Sequence, residues 1–241
     1  MSEVKIPMHV GIIVDGNGRW AKEKGFSRSV GHLEGSKTLK KIALYAFSKG
    51  IKVLSVFVFS TENFKRSKEE VDYLMDLFVH TFNNEYKVFK KKIVKVVFSG
   101  DISGLNEKVK EAIYKMEEES KDNTSGILNI CINYGSRREI VNTSKKLCQM
   151  VIDGKINISD IDEEVFMKNM YFDLPDMDLL IRTSGEMRLS NFMLYQASYA
   201  ELYFPKTYFP DFLESDFDLA LLEYSKRDRR YGGINYEKKN S

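Results

Sequence analysis

One carboxylate, Asp15, stands between an apolar segment and a short run of Gly16, Asn17, Gly18 and Arg19. The two glycines let backbone N–H groups approach an anion closely, and a helix starting here would add partial positive charge. Arg19 can donate two parallel hydrogen bonds to phosphate oxygens, and Asp15 can hold a hard cation such as Mg²⁺. The segment therefore predicts a metal diphosphate site, with an ordinary turn as the alternative.

Two familiar phosphate-binding patterns do not fit this segment. A Walker loop needs Gly-x-x-x-x-Gly-Lys-Ser/Thr, and a dinucleotide-binding turn needs Gly-x-Gly-x-x-Gly. An α/β phosphotransferase or nucleotide-binding protein would require one of these fingerprints, so this alternative is disfavoured. The predicted phosphate site is of another kind.

Apolar, β-branched runs alternate with helical patterns along the chain. The runs lie at residues 9–14, 53–59, 93–98, 127–132 and 178–181, with a further short run at 201–204. Strands that are apolar throughout are typical of a parallel sheet with helices on both faces. The pattern predicts a single α/β domain over residues 1–241, with a central, mostly parallel sheet of about six strands. The tail after residue 236 is expected to fray.

Four of the predicted strands end in polar clusters, which begin at Asp15, Ser60, Asn133 and Arg182. In a parallel sheet the carboxyl ends of the strands share one edge, and ligands of open α/β sheets bind there. We therefore expect the four clusters to converge around one pocket.

Composition gives weaker constraints. The 37 basic and 35 acidic residues nearly cancel, so no global charge favours binding to nucleic acid. The two cysteines have no CxxC spacing and no signal peptide precedes Ile6, which favours a reduced cytoplasmic protein. No apolar run reaches the roughly 18 residues of a spanning helix, so any membrane contact is expected to be peripheral.

The same clusters resemble cis-prenyltransferases of the undecaprenyl diphosphate synthase type. The matching segments are DGNGRWA from Asp15, GH at 31–32, STENFKR at 60–66, INYGSRREI at 132–140, DLLIRTSGEMRLSNFMLYQ at 178–196 and YAELYF at 199–204. The resemblance extends from His9 to Gly233 in the family's order. It implies a hydrophobic product tunnel and Mg²⁺-dependent, repeated condensation of isopentenyl diphosphate onto an allylic diphosphate primer such as farnesyl diphosphate. The product would be a Z-polyprenyl diphosphate such as undecaprenyl diphosphate, precursor of a glycan carrier lipid.

The resemblance also implies roles for individual residues. The allylic diphosphate and its chain would contact Gly16, Asn17, Gly18, Arg19, Trp20, Arg28, His32, Ser60, Thr61, Glu62, Phe64 and Arg66. Isopentenyl diphosphate would contact Arg182, Arg188, Leu189 and Ser190, and the metal would contact Asp15 and Glu201. Taken singly, His32 would be an ordinary polar or capping residue. Arg182 or Arg188, taken singly, would be a surface ion-pair partner.

Asp15 and Asn63 are the implied catalytic residues. The family's residue at the position of Asn63 assists removal of a proton from the condensing unit. An amide is a poor base, so we interpret Asn63 as a positioning group, with pyrophosphate as an alternative proton acceptor. Arg137 and Arg138 are interpreted as part of a helix start with Glu139 and receive no catalytic role.

Product length is left open by the sequence. Val58 stands where long-chain members often carry a smaller alanine, and Phe78 and Ile127 are further candidates for the tunnel wall. The apolar stripe at residues 71–82 is equally well explained as core. Phe64 stands where many members carry tryptophan, a change that preserves an aromatic surface.

Near the end of the chain, Arg230 resembles an arginine that reaches the partner subunit's isopentenyl diphosphate site, which implies a homodimer. The alternative is a basic tail loosely attached to the last helix. A second hypothesis for the whole chain is a catalytically weak accessory subunit of the same fold. The presence of Asp15, Asn63, Arg182, Arg188 and Glu201 argues against it.

Overall fold

The computed structural model describes residues 5–84, 89 and 94–227. Within them one six-stranded sheet has the order β3-β4-β2-β1-β5-β6, and every neighbouring pair of strands is parallel. The strands are β1 His9–Ile13, β2 Val53–Ser60, β3 Val94–Ser99, β4 Gly126–Tyr134, β5 Leu179–Arg182 and β6 Glu201–Tyr203. The predicted α/β class and all six predicted strands are confirmed.

Helices lie between successive strands from β1 to β5, as the alternating pattern predicts, whereas turns alone connect β5 to β6. They are α1 Asn17–Glu23, α2 Arg28–Ser48, α3 Lys68–Asn84, α4 Glu107–Ser120, α5 Ser136–Ile152, α6 Glu163–Lys168 and α7 Glu214–Ser225. Short 3₁₀ turns lie at Thr61–Lys65, Ile102–Gly104, Ile158–Asp160 and Phe209–Asp211. Among the helices of the described residues, none combines the length and the apolar character that a membrane span requires.

The apolar strands are buried on both faces of the sheet. Successive side chains of a strand point to opposite faces of the sheet. On the first face, Ile12 packs into a first core with helices α2, α3, α4 and α7. On the second face, Ile13 packs into a second core. Gly11 lies on the second face, where an added Cβ would stand 2.4 Å from Met177 Cε. The two cores fix the sheet from both sides.

The apolar stripe predicted for the long helix is present on α3. Leu74, Met75, Phe78 and Phe82 are buried in the first core, and Val71 packs against it. Phe78 stacks on Phe82 with ring centroids 6.0 Å apart. These contacts support the interpretation of the stripe as core.

The strand register brings the predicted polar clusters to one edge. Ile13 at the end of β1 is level with Phe57 of β2 on one side and with Arg182 of β5 on the other. Ser60, the last residue of β2, is level with Tyr134 of β4. The segments that follow β1, β2, β4 and β5 therefore all start at the carboxyl edge of the sheet.

Candidate active site

A cavity of about 760 Å³ lies at this carboxyl edge. Each of the four predicted polar clusters contributes to its wall, through Asp15, Glu62, Arg137 and Arg182 among others. The prediction that the clusters converge on one pocket is confirmed. The reason is topological, because parallel strands that are neighbours in the sheet must end side by side.

Asp15 lies where β1 ends, with its carboxylate between two arginines. Arg182 Nη2 donates to Oδ2 at 2.9 Å, and Arg19 Nη2 donates to Oδ1 at 3.1 Å. The backbone N–H of Gly16 also donates to Oδ1, at 2.7 Å. Burial opposes ionisation, but the hydrogen bond and charge of Arg182 and the charge of Arg19 outweigh it, so the pKa of Asp15 lies below its usual value. Asp15 is therefore a carboxylate at neutral pH.

Arg182 is buried at the end of β5 and reaches both sides of the site. Its Nη1 donates to Ser190 Oγ at 2.6 Å and to the carbonyl of Arg188 at 2.5 Å, while Nη2 holds Asp15. Its Nε is buried and has no hydrogen-bond partner among the described residues. Arg182 therefore links Asp15 to the segment that carries Arg188 and Ser190.

Glu186 links the two sides of the site at the surface. Arg19 Nη1 donates to its carboxylate at 2.7 Å, and Arg188 donates to its other oxygen. Arg19 also donates to Ser184 Oγ at 2.6 Å. The hydrogen bonds from Arg188 and Arg19 hold the pKa of Glu186 below its usual value. One carboxylate thus joins an arginine predicted for each substrate.

A second cluster of basic side chains surrounds Glu70 of α3. Its Oε1 accepts from Arg66 at 2.9 Å, from Arg28 at 3.2 Å and from His32 at 3.3 Å. Burial works against the charge of Glu70, but the charges of Arg66 and Arg28 and the hydrogen bond from His32 outweigh it and hold the pKa of Glu70 below its usual value. Burial, assisted by the charge of Arg66, also lowers the pKa of His32. Three residues predicted to bind the allylic diphosphate therefore meet at one carboxylate oxygen.

Asn63 lies in the 3₁₀ turn that follows β2 and lines the cavity. Its Oδ1 accepts the backbone N–H of Ser60 at 3.1 Å, which leaves the amide nitrogen as a donor. Glu62, the preceding residue, accepts from Asn191 Nδ2 at 3.3 Å. The turn presents Asn63 to the cavity in a fixed orientation.

Part of the cavity wall is apolar and includes Phe57, Val58, Phe59 and Leu74. Three successive strand residues reach one cavity because β2 has a bulge here. Phe57 is level with Cys131 of β4, but Phe59 is level with the next residue of β4, Ile132. The extra residue, Val58, is turned out of the strict alternation of a strand.

Several predicted site residues do not line this cavity: Trp20, Thr61, Phe64, Phe78, Ile127, Arg188, Leu189 and Glu201. Phe78 belongs to the core of α3, and Ile127 lies near the amino end of β4, level with Val53. Glu201 lies at the start of β6 and accepts from Arg227 Nη1 at 2.8 Å. Arg230 lies outside the described residues. The roles of these residues stay predictions.

The structure adds polar residues that sequence reasoning did not assign to the site. Lys22, Arg137 and Asn191 line the cavity, and Glu70 binds Arg28, His32 and Arg66 beside it. Arg137 and Asn191 lie inside the segments quoted for the resemblance, which was the available signal. Arginine at a helix start and asparagine in a loop are both common for purely structural reasons. The sequence pattern therefore gave no separate sign that Arg137 and Asn191 line the cavity.

Comparison with known proteins is decisive for the family. Residues 13–232 match the sequence profile of the family described as "Putative undecaprenyl diphosphate synthase". The chain belongs to this family. An isoprenyl transferase of Fusobacterium nucleatum is 48% identical over 232 residues, which cover 96% of this chain and 98% of the relative. A ditrans,polycis-undecaprenyl-diphosphate synthase ((2E,6E)-farnesyl-diphosphate specific) of Pasteurella multocida is 44% identical and covers 95% of each chain.

Solved structures of undecaprenyl diphosphate synthase relatives share the fold. Lavandulyl diphosphate synthase from Lavandula x intermedia, in complex with dimethylallyl diphosphate, superposes with a TM-score of 0.89 at 36% identity. That comparison covers 94% of this chain and 98% of the other. A probable undecaprenyl diphosphate synthase from Campylobacter jejuni gives a TM-score of 0.78 at 34% identity, covering 96% and 100%. The cis-prenyltransferase resemblance of the sequence is thereby confirmed.

Proposed function

We propose that the protein is a cis-prenyltransferase that condenses isopentenyl diphosphate repeatedly onto an allylic diphosphate primer, giving a Z-polyprenyl diphosphate. The observation that carries the proposal is the position of Arg182. Its guanidinium contacts Asp15 on the predicted allylic side and Ser190 on the predicted isopentenyl side. Two diphosphate subsites that share one arginine would hold two substrates side by side in the same cavity.

The electrostatics suit the first chemical step. When the bond between the allylic carbon and its diphosphate oxygen breaks, negative charge grows on the leaving diphosphate. Arg19 and the backbone N–H groups of Asn17 and Gly18 offer donors for that charge, and Arg28, His32 and Arg66 form a second group of donors at the cavity wall. The allylic cation is left facing the double bond of isopentenyl diphosphate.

The second step forms a carbon–carbon bond and releases a proton. The electron pair of the isopentenyl double bond attacks the allylic carbon, and loss of a proton from the new cation creates the next double bond. Asn63 positions this unit by hydrogen bonding, and the released pyrophosphate accepts the proton. The product is an allylic diphosphate one unit longer, which can serve as primer again.

Mg²⁺ fits a site at Asp15. The described residues contain no group of three or more histidine, cysteine or acidic side chains that could hold a metal alone. A single carboxylate at the mouth of a diphosphate site is the arrangement Mg²⁺ commonly uses, since it keeps water and takes substrate oxygens as its other ligands. When bound, the ion would neutralise charge on the departing diphosphate. Glu201, the second predicted metal residue, does not line this cavity and pairs with Arg227, so its role stays a prediction.

The apolar wall formed by Phe57, Val58, Phe59 and Leu74 is suited to an isoprenoid chain. We infer that it begins the product tunnel, with Phe78 behind it and Ile127 as a more distant candidate. Farnesyl diphosphate is the primer we expect, and undecaprenyl diphosphate the expected product class. The lipid product would bring the protein, which we infer to be cytoplasmic, into peripheral contact with a membrane.

We further infer a homodimer in which Arg230 reaches the partner subunit's isopentenyl diphosphate site. An Arg230→Ala protein should still dimerise but show a much higher KM for isopentenyl diphosphate. Sedimentation analysis and steady-state kinetics would separate the two effects. Unaltered kinetics would remove the cross-subunit role.

The proposed activity is tested directly by product analysis. Purified protein is incubated with Mg²⁺, labelled isopentenyl diphosphate and either geranyl or farnesyl diphosphate, and the products are separated by chain length. Asp15→Ala is the matched inactive variant. Tight primer binding without any product from the wild-type chain would replace the enzyme by an accessory subunit.

A further inference from the structure

One side-chain amide joins three parts of the cavity wall that are distant in sequence. Asn191 follows Ser190 in the segment between β5 and β6, and it lines the cavity. Its Oδ1 accepts the backbone N–H of Arg137 at 2.9 Å, and its backbone carbonyl accepts the N–H of Ser136 at 2.8 Å. Its Nδ2 donates to Glu62 Oε1 at 3.3 Å. Asn191 thus contacts both the start of α5 and the turn after β2.

The network fixes the orientation of the Asn191 amide. A backbone N–H can only donate, so the amide oxygen must face Arg137, which turns the amide nitrogen toward Glu62. Burial raises the pKa of Glu62, but hydrogen bonds from the backbone and from Ser60, Thr61 and Asn191 more than offset this, and the pKa lies below its usual value. Glu62 is therefore a carboxylate, which accepts hydrogen bonds but donates none.

The backbone around Asn191 is held in an unusual conformation. Ser190 and Asn191 are consecutive left-handed residues, with φ of 49° and 65°, and Ser184 and Met193 also have positive φ. Residues other than glycine and asparagine adopt the left-handed region at a cost in free energy. Consecutive left-handed residues therefore persist only where the surrounding structure enforces them. Phe192 and Met193 are buried in the second core and anchor the segment from below.

Gly135 shows how closely the three parts approach. A Cβ at this position would stand 2.8 Å from Asn191 Nδ2 and 3.0 Å from Thr61 Oγ1. The φ of Gly135 is −163°, which is extended backbone, so the lack of a side chain serves the close approach alone. The segment carrying Ser190, the start of α5 and the turn carrying Asn63 meet with no space between them.

We propose that Asn191 is a positioning residue, which holds the segment carrying Ser190 in register with the turn carrying Asn63. The inference rests on the proposed function, in which Ser190 holds isopentenyl diphosphate and Asn63 orients the condensing unit. Asn191 acts by positioning these two residues. It does so through its hydrogen bonds to Glu62, the neighbour of Asn63, and to the backbone N–H of Arg137. It sets the spacing between the place where isopentenyl diphosphate is bound and the place where its proton leaves.

The variant Asn191→Asp tests the contact with Glu62 selectively. The aspartate keeps an oxygen for the N–H of Arg137, but it places a second carboxylate against Glu62. We expect the KM for isopentenyl diphosphate to rise about tenfold, and kcat to fall, because a hydrogen bond to a charged group becomes a repulsion. The loss should shrink as the pH is lowered and the two carboxylates share a proton. A purely structural defect would lower the melting temperature without this pH dependence.

Adding Glu62→Gln to Asn191→Asp reverses the polarity of the hydrogen bond and should recover much of the lost affinity relative to Asn191→Asp alone. Gly135→Ala keeps the side chains of Asn191 and Glu62 but forces them apart. It should therefore also raise the KM for isopentenyl diphosphate. Asn142→Ala is the control, because Asn142 is an exposed amide of α5 that donates to Tyr171 Oη at 3.1 Å. This variant should leave the KM for isopentenyl diphosphate unchanged.

The dissociation constant for isopentenyl diphosphate, measured by calorimetry alongside the kinetics, keeps the two proposals separate. Absence of product from the wild-type chain would overturn the proposed function, while the dissociation constants of the variants would still decide the role of Asn191. Wild-type affinity in Asn191→Asp, or no recovery in the double variant, would overturn the positioning role. A weakened affinity in Asn191→Asp with recovery in the double variant is the expected result.

Discussion

Arg182 and Asp15 form an ion pair of 2.9 Å between the ends of β5 and β1. The two strands are neighbours, and Arg182 is level with Ile13, two residues before Asp15. The arginine is almost fully buried, whereas about a quarter of the Asp15 side chain is exposed toward the cavity. The pair therefore holds one charge in the protein and offers the other to a ligand.

We expect Asp15→Asn to lower kcat/KM by about 10²–10³-fold, since a neutral amide of the same shape cannot neutralise a bound cation. The concentration of Mg²⁺ needed for half-maximal activity should rise as well. Both are measured by titrating Mg²⁺ in the product assay, where chelation by EDTA should stop the wild-type reaction. Asp153→Asn, the same change at an exposed position, is the control. Unaltered Mg²⁺ dependence in Asp15→Asn would place the metal elsewhere.

Replacing Arg182 by glutamine should change the pH profile as well as substrate affinity. Without the guanidinium, burial would act on Asp15 against less opposition, so its pKa should rise. Because Asp15 must be ionised to hold the metal, the acidic limb of the kcat/KM profile should move to higher pH. The KM for isopentenyl diphosphate should rise about 10-fold or more, since a charge-assisted donor is lost. An acidic limb that stays in place would show that Arg182 does not control the ionisation of Asp15.

Product length is expected to depend on Val58, which lines the cavity at the bulge of β2. Val58→Ala removes two methyl groups from a confined apolar wall and should shift products by at least one isoprene unit toward longer chains. Relief of crowding in a packed channel is worth about 1–3 kcal/mol. Chain lengths are compared by reversed-phase chromatography, with the exposed Val141→Ala as the matched control. An identical product distribution would remove Val58 from the control of length.

Stability should fall in mild acid because of His9, which is fully buried on β1. Its Nδ1 donates to the carbonyl of Pro175 at 2.8 Å, and its Nε2 lies 2.8 Å from Ser55 Oγ. Burial lowers its pKa from 6.5 to about 4, so between these pH values the unfolded chain binds a proton that the folded chain does not. This contribution is fully present above pH 6.5 and is lost as the pH falls toward 4.

At pH 5 the loss from His9 amounts to about 2 kcal/mol of unfolding free energy relative to pH 7.5. Urea unfolding at the two pH values measures it. His9→Gln should be less stable at pH 7.5 but lose less on acidification, whereas the exposed His80→Gln should follow the wild type. An equal loss in His9→Gln and the wild type would assign the acid sensitivity to other groups.

The sequence determined where the strands lie and what chemistry meets at their ends. Continuous apolar runs make buried parallel strands, and Asp15, Glu62 and Arg182 follow such strands directly, so their convergence at one sheet edge follows from the pattern. The order of motifs such as DGNGRWA and STENFKR along the chain also indicated the family. These features are local in the chain, which is why they could be predicted.

Only the tertiary structure decided which side chains complete the wall. The bulge that turns Val58 into the cavity is a change of register against β4, and a residue pattern of period two contains no sign of it. Asn191 meets Glu62 across 129 positions of sequence, and Glu70 meets Arg28 across 42. Glu201, predicted as a second metal residue, begins a strand level with Leu179 and pairs with Arg227. Such contacts depend on how the two cores set strand register and helix position, and this packing is a property of the whole chain.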